Sequence, residues 1–140
     1  MIVGIDASNL KRGGGRTHLI ELISIMEPAL YNFEKVIIWG NRDTLDSLKN
    51  ASWLIKVAPK ELLKGFISCF LWQRFKLSRS AKAHECDLLF VPGGSFSCSF
   101  RPIVTMSRNM LPFEWVEAKR YGLAPITLRI FILRLLQKKL

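Results

Sequence analysis

The stretch Ile2-Val3-Gly4-Ile5-Asp6 sets the fold class, because it is a short apolar run that stops at a carboxylate. Such a run is typical of a parallel strand that is buried on both faces. Three glycines follow at residues 13–15, and residues 17–26 then place apolar side chains at helical spacing until Pro28 ends the pattern. The beginning of the chain therefore predicts a strand, a glycine-rich loop and a helix.

Outward from this unit, short apolar strands alternate with helical patterns along the chain. Further strands are predicted at residues 36–39, 53–57, 88–91 and 103–106. Helices are predicted at residues 44–49, 60–84 and 125–140, the first of them with Asp43 as its N-cap. This alternation predicts an α/β fold, a Rossmann-like parallel sheet with helices on both faces.

The net charge of +10 is unevenly distributed. Residues 1–50 carry six basic and six acidic side chains, whereas residues 51–100 carry seven against three and residues 101–140 eight against two. A basic surface of this kind attracts phosphates, whether on nucleic acid, on anionic lipid or on a phosphorylated substrate.

Several classes of protein are excluded by the pattern of apolar and cysteine residues. Asp6 interrupts the first apolar run, so we expect no secretory signal. The longest uncharged stretch has 13 residues and contains Pro92, which is too short and too broken for a transmembrane helix. Cys69, Cys86 and Cys98 match neither a zinc site nor a redox pair, so we predict reduced, mostly buried thiols in a cytoplasmic protein.

The first loop is the strongest candidate for ligand contact, because a parallel sheet binds ligands at the carboxyl ends of its strands. It contains Gly13, Gly14, Gly15 and Arg16. Glycines allow a close approach of the backbone, and the first turn of the following helix offers unpaired N–H groups to an anion. The spacing is that of neither a dinucleotide fingerprint nor a P-loop, and a flexible turn is the alternative interpretation.

Two further loops follow strands at the same predicted edge. The loop after the fourth strand contains Gly93, Gly94 and Ser95, and the loop after the fifth contains Arg108 and Asn109. The small residues of the former loop leave room for a ligand. The cation and the amide of the latter loop suit a polar ligand. The alternatives are a plain Pro-Gly turn for the former, and an internal ion pair with a helix cap for the latter.

No complete catalytic set is visible in the sequence. His18 is isolated in the first turn of a helix, where a structural role is expected, and Asp6 is expected to cap a loop. We find no nucleophilic triad, no close carboxylate pair and no metal-ligand cluster. The catalytic residues therefore stay unknown, and neither a metal nor a cofactor is predicted.

Three segments, taken in order and spacing, resemble the amino-terminal domain of the family-4 (group 1) retaining glycosyltransferases. They are the start at residues 2–10, the glycine loop running into residues 17–19, and residues 109–114. The resemblance implies a GT-B enzyme with two Rossmann-like domains facing a cleft. It also implies that Gly13, Gly14 and Gly15 lie near the donor phosphates. Arg108 stands where many members have a histidine.

The function implied by the resemblance is transfer of a sugar, with retention, from a nucleotide-sugar donor to a glycan or lipid-linked acceptor. In that family the amino-terminal domain shapes the acceptor site, and the carboxyl-terminal domain binds the nucleotide sugar through a paired-glutamate motif. Residues 1–140 are accordingly expected to be an incomplete acceptor-side domain without the donor-binding domain, inactive alone. The nucleotide sugar is a co-substrate, and no cofactor is implied.

The expected location is cytoplasmic, on the inner face of a membrane. Residues 62–72 are apolar and are flanked by six cations, which makes them a candidate patch for anionic lipid. The flanking cations are Lys60, Lys64, Arg74, Lys76, Arg79 and Lys82. The alternative is an ordinary core-facing helix with a solvated basic edge.

Two other classes of function stay open. The chain can be a nucleic-acid-binding or anionic-membrane-binding α/β module without catalysis, although no known nucleic-acid motif interleaves its aromatic and basic residues. It can also be a small nucleotide-binding or receiver-like domain, although Asp6 is the lone acidic residue near the end of the first strand. Salt-dependent DNA binding would favour the former, and tight binding of free nucleotide the latter. The sequence identifies neither the donor sugar, the acceptor nor the linkage.

Overall fold

Five strands form one parallel sheet in the computed structural model, which describes residues 1–93 and 97–106. The strands are β1 (Ile2–Asp6), β2 (Lys35–Trp39), β3 (Leu54–Val57), β4 (Leu88–Val91) and β5 (Ile103–Thr105). Their order in the sheet is β3-β2-β1-β4-β5, and every neighbouring pair is parallel. The predicted Rossmann-like α/β fold and all five predicted strands are confirmed.

The position of β1 at the centre creates a switch point. The chain builds the sheet outward from β1 to β2 and β3, and then crosses to the other side of β1 to place β4 and β5. Asp6 is paired with Trp39 on one side, and Ile5 is paired with Phe90 on the other. The carboxyl ends of β1, β2 and β4 therefore lie along one edge, where open α/β sheets bind their ligands.

Four helices are described, and they pack on the sheet. They are α1 (Gly14–Ile25), α2 (Arg42–Asp46), α3 (Phe66–Trp72) and α4 (Ser78–Ala83). Short 3₁₀ turns cover Pro28–Tyr31 and Lys60–Leu63, and a π-helical turn, Gln73–Leu77, joins α3 to α4. The N-cap predicted for α2 was wrong. The helix begins one residue before Asp43, so the capping position falls on Asn41.

Two apolar layers hold the sheet between the helices. Val36 and Ile38 of β2 point into the layer that contains Leu19 of α1, whereas Ile37 and Trp39 point into the layer that contains Leu77. All four β2 side chains are at most 1% exposed. This alternation explains why a central parallel strand is a continuous apolar run in the sequence.

The predicted apolar face of residues 60–84 is divided between the core and the solvent. Leu62 and Cys69 are buried in the layer beneath α3, but Leu63, Ile67 and Leu71 are exposed. A helical surface turns by about 100° per residue, so adjacent apolar residues cannot all face one sheet. The segment therefore faces the core along one side, as the alternative interpretation predicts, and exposes apolar as well as basic side chains along the other.

The three cysteines are free and buried, as predicted. Burial raises the pKa of the Cys86 thiol to about 11. Within residues 1–93 and 97–106, no helix combines the length and hydrophobicity needed to cross a bilayer. In the same described part of the chain, no group of three or more His, Cys, Asp or Glu side chains is placed to hold a metal ion.

Candidate functional site

The loops that follow β1 and β4 lie at the carboxyl edge of the sheet, on adjacent strands. Residues 7–13 connect β1 to α1, and Pro92 with Gly93 begins the connection from β4. The connection from β5 starts beside them, because the Met106 N–H donates to the Val91 carbonyl oxygen at 3.3 Å. The switch point of the sheet is therefore flanked by two of the three loops that the sequence singles out.

The first half of the β1–α1 loop is rigidly held. Ala7, Ser8 and Leu10 are buried. The Ala7 N–H donates to the Trp39 carbonyl oxygen at 2.8 Å, and the Leu10 N–H donates to the Ala7 carbonyl oxygen at 3.0 Å. The hydroxyl of Thr44 in α2 donates to the Leu10 carbonyl oxygen at 2.8 Å. These bonds fix the path of the chain up to Leu10.

The second half of the loop is open. Residues 11–14 are exposed, and Gly13 has a φ of 75°, a left-handed conformation in which a side chain is strained. Gly14 and Gly15 form the first turn of α1, so the predicted glycine loop is partly helix. Gly13 occupies the N-cap position and has no side chain with which to cap the helix, and the first turn contains no acidic residue. The N-terminal end of α1 therefore presents its positive dipole end at the carboxyl edge.

The three cations around this loop have different roles. Lys11 Nζ donates to the Leu62 carbonyl oxygen at 3.3 Å. The guanidinium of Arg16 donates to the Asp43 carbonyl oxygen at 3.1 Å and to the Ser47 hydroxyl, and it thereby ties α1 to α2. Arg12 is exposed and makes no hydrogen bond or salt bridge with any residue in the described ranges. Arg12, which lies outside the residues predicted for the site, is thus the cation of this loop that can meet an anion.

A buried polar network supports the loop from below. Asp6 is 2% exposed, and its Oδ1 accepts a hydrogen bond from the Ser8 N–H at 3.0 Å. Gln73 Nε2 donates to Asp6 Oδ2 at 2.6 Å and to Ser8 Oγ at 2.9 Å. The prediction that Asp6 caps a loop is confirmed. Gln73 was not predicted, although a polar residue inside an inward-facing apolar stripe is a faint signal of such a role.

The π-helical turn explains how Gln73 reaches Asp6. A π turn inserts one residue into a helix, which rotates the following side chains relative to the α-helical register. Trp72 and Gln73 are consequently both buried although they are adjacent. Such turns occur frequently at functional sites, and here the turn brings an amide beneath the β1–α1 loop.

Asp6 is a positioning residue and is unsuited to act as a base. Burial raises the pKa of its carboxyl, and the hydrogen bonds from Ser8 and Gln73 act in the opposite direction. Its oxygens are occupied by Ser8 and Gln73, and its exposed fraction leaves no access for a substrate. Its chemical contribution is to fix the direction in which the chain leaves β1.

Cys69 completes the underside of the loop. Its thiol lies 3.8 Å from the Ser8 carbonyl oxygen and 3.5 Å from Asn9 Oδ1. Burial raises the pKa of this thiol, so the reactive thiolate is disfavoured at neutral pH. Cys69 is accordingly a packing residue and a weak hydrogen-bond donor.

A small cavity lies farther along the same edge, beyond β2 and β3. Its volume is about 40 Å³, far below the roughly 300 Å³ or more of an ordinary ligand site. Its lining residues are Gly40, Asn41, Arg42, Ala58, Pro59, Lys60 and Leu63. Its size suits one or two water molecules, so we do not assign a substrate to it.

The predicted site residues fall into two groups. Gly13, Gly14, Gly15, Arg16 and Gly93 lie at the carboxyl edge, on the connections that leave β1 and β4. The remaining predicted residues lie outside the described residues; they are Gly94, Ser95, Arg108 and Asn109. Most of the predicted site residues that the structure describes therefore lie in or next to the first loop.

Comparison of the chain with protein-family models, with curated proteins and with solved structures found no match. The fold and the geometry of the carboxyl edge are therefore the basis for assigning a function.

Proposed function

We propose that this chain is the acceptor-side α/β domain of a retaining glycosyltransferase that uses a nucleotide-sugar donor. One observation carries the proposal: the glycine-rich N-terminus of α1, with its positive dipole end, lies at the switch point of a β3-β2-β1-β4-β5 parallel sheet. The resemblance of residues 2–19 and 109–114 to the amino-terminal domain of such enzymes supports the same function. Both lines of reasoning lead to the same loop.

The electrostatics of the loop suit the pyrophosphate of a sugar nucleotide. No acidic residue occurs between Asp6 and Glu21, and the burial of Asp6 keeps its carboxyl away from a ligand. The positive dipole end of α1 attracts an anion, and the guanidinium of Arg12 can donate to phosphate oxygens. Donors that are already in place stabilise the negative charge that develops on a leaving phosphate.

The glycines also give a ligand access to the N-terminal end of α1. A Cβ built on Gly13 or Gly14 meets no atom of the described residues within 4 Å, so these residues leave open space in front of the helix. A phosphate can therefore approach the backbone closely, as helix N-terminal anion sites require.

In the proposed enzyme, a second domain binds the donor nucleotide. A glycosyl transfer requires the donor and the acceptor to be held together in reactive geometry. The 140-residue chain alone is therefore expected to transfer no sugar, and the activity is expected in the native protein together with its donor-binding domain. Sugar transfer by the purified 140-residue chain would contradict this division.

The experiment that tests the function is a transfer assay on the native protein recovered from its source cells. A panel of labelled nucleotide sugars is supplied with a membrane and glycan extract, and label is expected in a glycan or lipid-linked product with retained anomeric configuration. Arg12→Gln is expected to reduce kcat/KM about ten-fold, because it removes one charge-assisted hydrogen bond to phosphate.

The matched control is Lys35→Gln, which removes the same charge at the opposite edge of the sheet. Lys35 begins β2 and is exposed, and it is expected to leave kcat/KM unchanged. No transfer from any donor, or equal losses in the two variants, would contradict the proposed function.

A further inference from the structure

A stripe of exposed apolar side chains lies on the outer side of residues 60–84, which we call the α3 segment. Ile67 and Leu71 are one turn apart in α3 and share a helical face, Leu63 ends the 3₁₀ turn that precedes α3, and Phe75 lies in the π-helical turn that follows it. The stripe consists of Leu63, Ile67, Leu71 and Phe75, which are 71%, 73%, 48% and 68% exposed. The opposite side of the same segment supplies Cys69, Trp72 and Leu77 to the core. The segment is therefore apolar on two sides, and only one of them is covered in the part of the chain that the structure describes.

The surroundings of this stripe are strongly basic. Residues 60–84 contain six cations and one acidic residue, Glu61. Glu61 is paired with Lys76, and this hydrogen bond lowers the pKa of Glu61, so the pair stays ionised and neutral in sum. The five other cations form no salt bridge with any described residue; they are Lys60, Lys64, Arg74, Arg79 and Lys82.

A second exposed apolar patch lies among acidic residues and can be compared with the α3 stripe. Ile25, Leu30 and Tyr31 are 76%, 71% and 64% exposed at the end of α1 and in the turn that follows. Residues 21–34 around them contain three acidic residues and no basic one. Exposed apolar area alone is therefore common to both patches, and the cations distinguish the α3 stripe.

We propose that the α3 stripe is a docking surface for an anionic lipid bilayer. An apolar helical face bordered by Lys and Arg inserts its apolar side chains at the level of the headgroups while its cations meet lipid phosphates. This inference uses the exposed residues of the α3 segment and does not depend on the proposed transferase function.

The charges argue against two other occupants. A second copy of the chain would bring two sets of five unneutralised cations together, which is unfavourable at an interface. A nucleic acid would be attracted by the cations, but binding of single strands relies on stacked aromatic rings, and the stripe offers one ring and three aliphatic side chains. A bilayer uses both the cations and the aliphatic side chains.

The docking surface is continuous with the first loop. Leu62, the residue before the stripe, accepts the hydrogen bond from Lys11 Nζ in the β1–α1 loop. A bilayer bound at the stripe is therefore close to the carboxyl edge, where an acceptor anchored in lipid can reach the proposed site.

The primary experiment is vesicle co-sedimentation of the 140-residue chain. Vesicles of phosphatidylcholine alone are compared with vesicles that contain about 30% phosphatidylglycerol at near-physiological salt, where charge attraction still operates within a Debye length. We expect at least ten-fold stronger partitioning onto the anionic vesicles. Equal partitioning onto both kinds of vesicle, or none onto either, would overturn the proposal.

A pair of double variants with matched exposure separates the stripe from general hydrophobicity. Leu63→Ser with Ile67→Ser is expected to reduce partitioning at least ten-fold. Ile25→Ser with Leu30→Ser removes apolar side chains of similar exposure beside acidic residues, and it is expected to leave partitioning unchanged. Equal losses in the two double variants would show that the stripe is not the docking surface.

The contribution of charge is tested separately. Lys60→Gln and Lys64→Gln are each expected to weaken partitioning about five-fold, which corresponds to about 1 kcal/mol for one cation near an anionic surface. Lys35→Gln is the control, since Lys35 lies in β2, away from the α3 segment. Weakening by Lys35→Gln as large as that by Lys64→Gln would contradict a localised docking surface.

A fluorescent label on the stripe distinguishes the possible occupants. Ile67→Cys can be labelled with an environment-sensitive dye, because the three native cysteines are buried and burial raises their pKa. We expect the emission to shift to the blue on addition of anionic vesicles. A shift already present without vesicles would mean that another part of the chain covers the stripe if it is independent of protein concentration, or that a second copy covers it if it grows with concentration. Either result, or a shift with duplex DNA in place of vesicles, would overturn the proposal.

Discussion

The packing around Gly4 in β1 leaves no room for a side chain. A Cβ at this position would lie 2.8 Å from the Trp39 ring and 3.1 Å from Leu89 Cδ1, both in the buried core. Gly4→Ala is therefore expected to lower the free energy of unfolding by about 1–3 kcal/mol, the usual cost of overpacking. Urea denaturation measures this loss.

Gly14→Ala is the matched comparison. A Cβ at Gly14 meets no atom within 4 Å among residues 1–93 and 97–106, and Gly14 lies in the first turn of α1. Alanine is the better helix former, so the free energy of unfolding is expected to stay the same or to rise by up to about 1 kcal/mol. A Gly4→Ala protein as stable as the Gly14→Ala protein would contradict the packing described for β1.

Asp6 is expected to make stability depend on pH. Burial raises the pKa of its carboxyl above the ordinary value of 3.8, so the folded protein binds this proton more tightly than the unfolded chain does. The stabilising contribution is complete below about pH 3.8 and is lost as the pH rises through the raised pKa, with a slope of up to about 1.4 kcal/mol per pH unit.

Asp6→Asn tests this linkage. The amide of Gln73 can turn its oxygen toward the new side chain, so the hydrogen-bonded network can be kept without an ionisable group. The free energy of unfolding of the wild type minus that of Asp6→Asn is expected to fall with rising pH above 3.8. A difference that is independent of pH between 3.5 and 7 would show that the pKa of Asp6 is not raised by folding.

The residue that follows α4 has a backbone conformation that disfavours side chains. Glu85 has a φ of 54°. The Cys86 N–H donates to the Ala81 carbonyl oxygen and the Glu85 N–H to the Lys82 carbonyl oxygen, both at 3.0 Å. This is the hydrogen-bond pattern of a Schellman motif, in which the left-handed position favours glycine.

Glu85→Gly is therefore expected to raise the free energy of unfolding by about 0.5–1 kcal/mol, because it removes the strain of a left-handed L-residue. Asn32→Gly is the control. Asn32 has a φ of 56° after a 3₁₀ turn, and asparagine tolerates this conformation well, so a smaller gain is expected. A thermal melt in which Glu85→Gly unfolds earlier than the wild type would contradict the assignment of the motif.

The elements were predictable from the sequence where the signal is local. Each strand is a short apolar run, and each run became a strand in the expected place. The start of α1 was predicted too late, at residue 17, because glycine disfavours helix. In the folded chain Gly14 and Gly15 form the first helical turn, with the Arg16 and Thr17 N–H groups bonded to the Gly13 carbonyl oxygen.

The parts of the site that the sequence did not reveal depend on residues that are distant along the chain. Gln73 meets Asp6 across 67 positions, and it does so through a π turn that no periodic pattern announces. The guanidinium of Arg16 meets α2 across 27 positions. The sequence therefore located the loop but did not show that Arg16 is engaged in packing and that Arg12 is available to a ligand.

At the scale of the whole molecule, the two proposed functions lie on two neighbouring surfaces. The carboxyl edge of the sheet offers the N-terminus of α1 and Arg12, and the α3 segment offers an apolar stripe among cations. Lys11 joins the two through its hydrogen bond to the Leu62 carbonyl oxygen. In the proposed arrangement, the bilayer holds a lipid-linked acceptor beside the edge at which the donor phosphates lie.

Vesicle binding is expected to depend on salt, because it depends on the summed charge of the whole surface. The affinity of the 140-residue chain for anionic vesicles is expected to fall as salt rises from 0.05 to 0.5 M, since the Debye length shortens. The Leu63→Ser, Ile67→Ser double variant is expected to bind more weakly at every salt concentration. Vesicle binding that does not change with salt, measured by sedimentation, would contradict a role for the cations.

The central claim is that donor phosphates lie at the N-terminus of α1, and a titration of the ¹⁵N-labelled 140-residue chain with pyrophosphate tests it most directly. In amide-resolved NMR spectra we expect saturable shifts that are largest at residues 12–17, with about ten-fold weaker binding for Arg12→Gln than for Lys35→Gln. Residues at the opposite edge of the sheet, such as Lys35 and Asp87, are expected not to shift. Shifts that are absent from residues 12–17, or larger at the opposite edge, would contradict the claim.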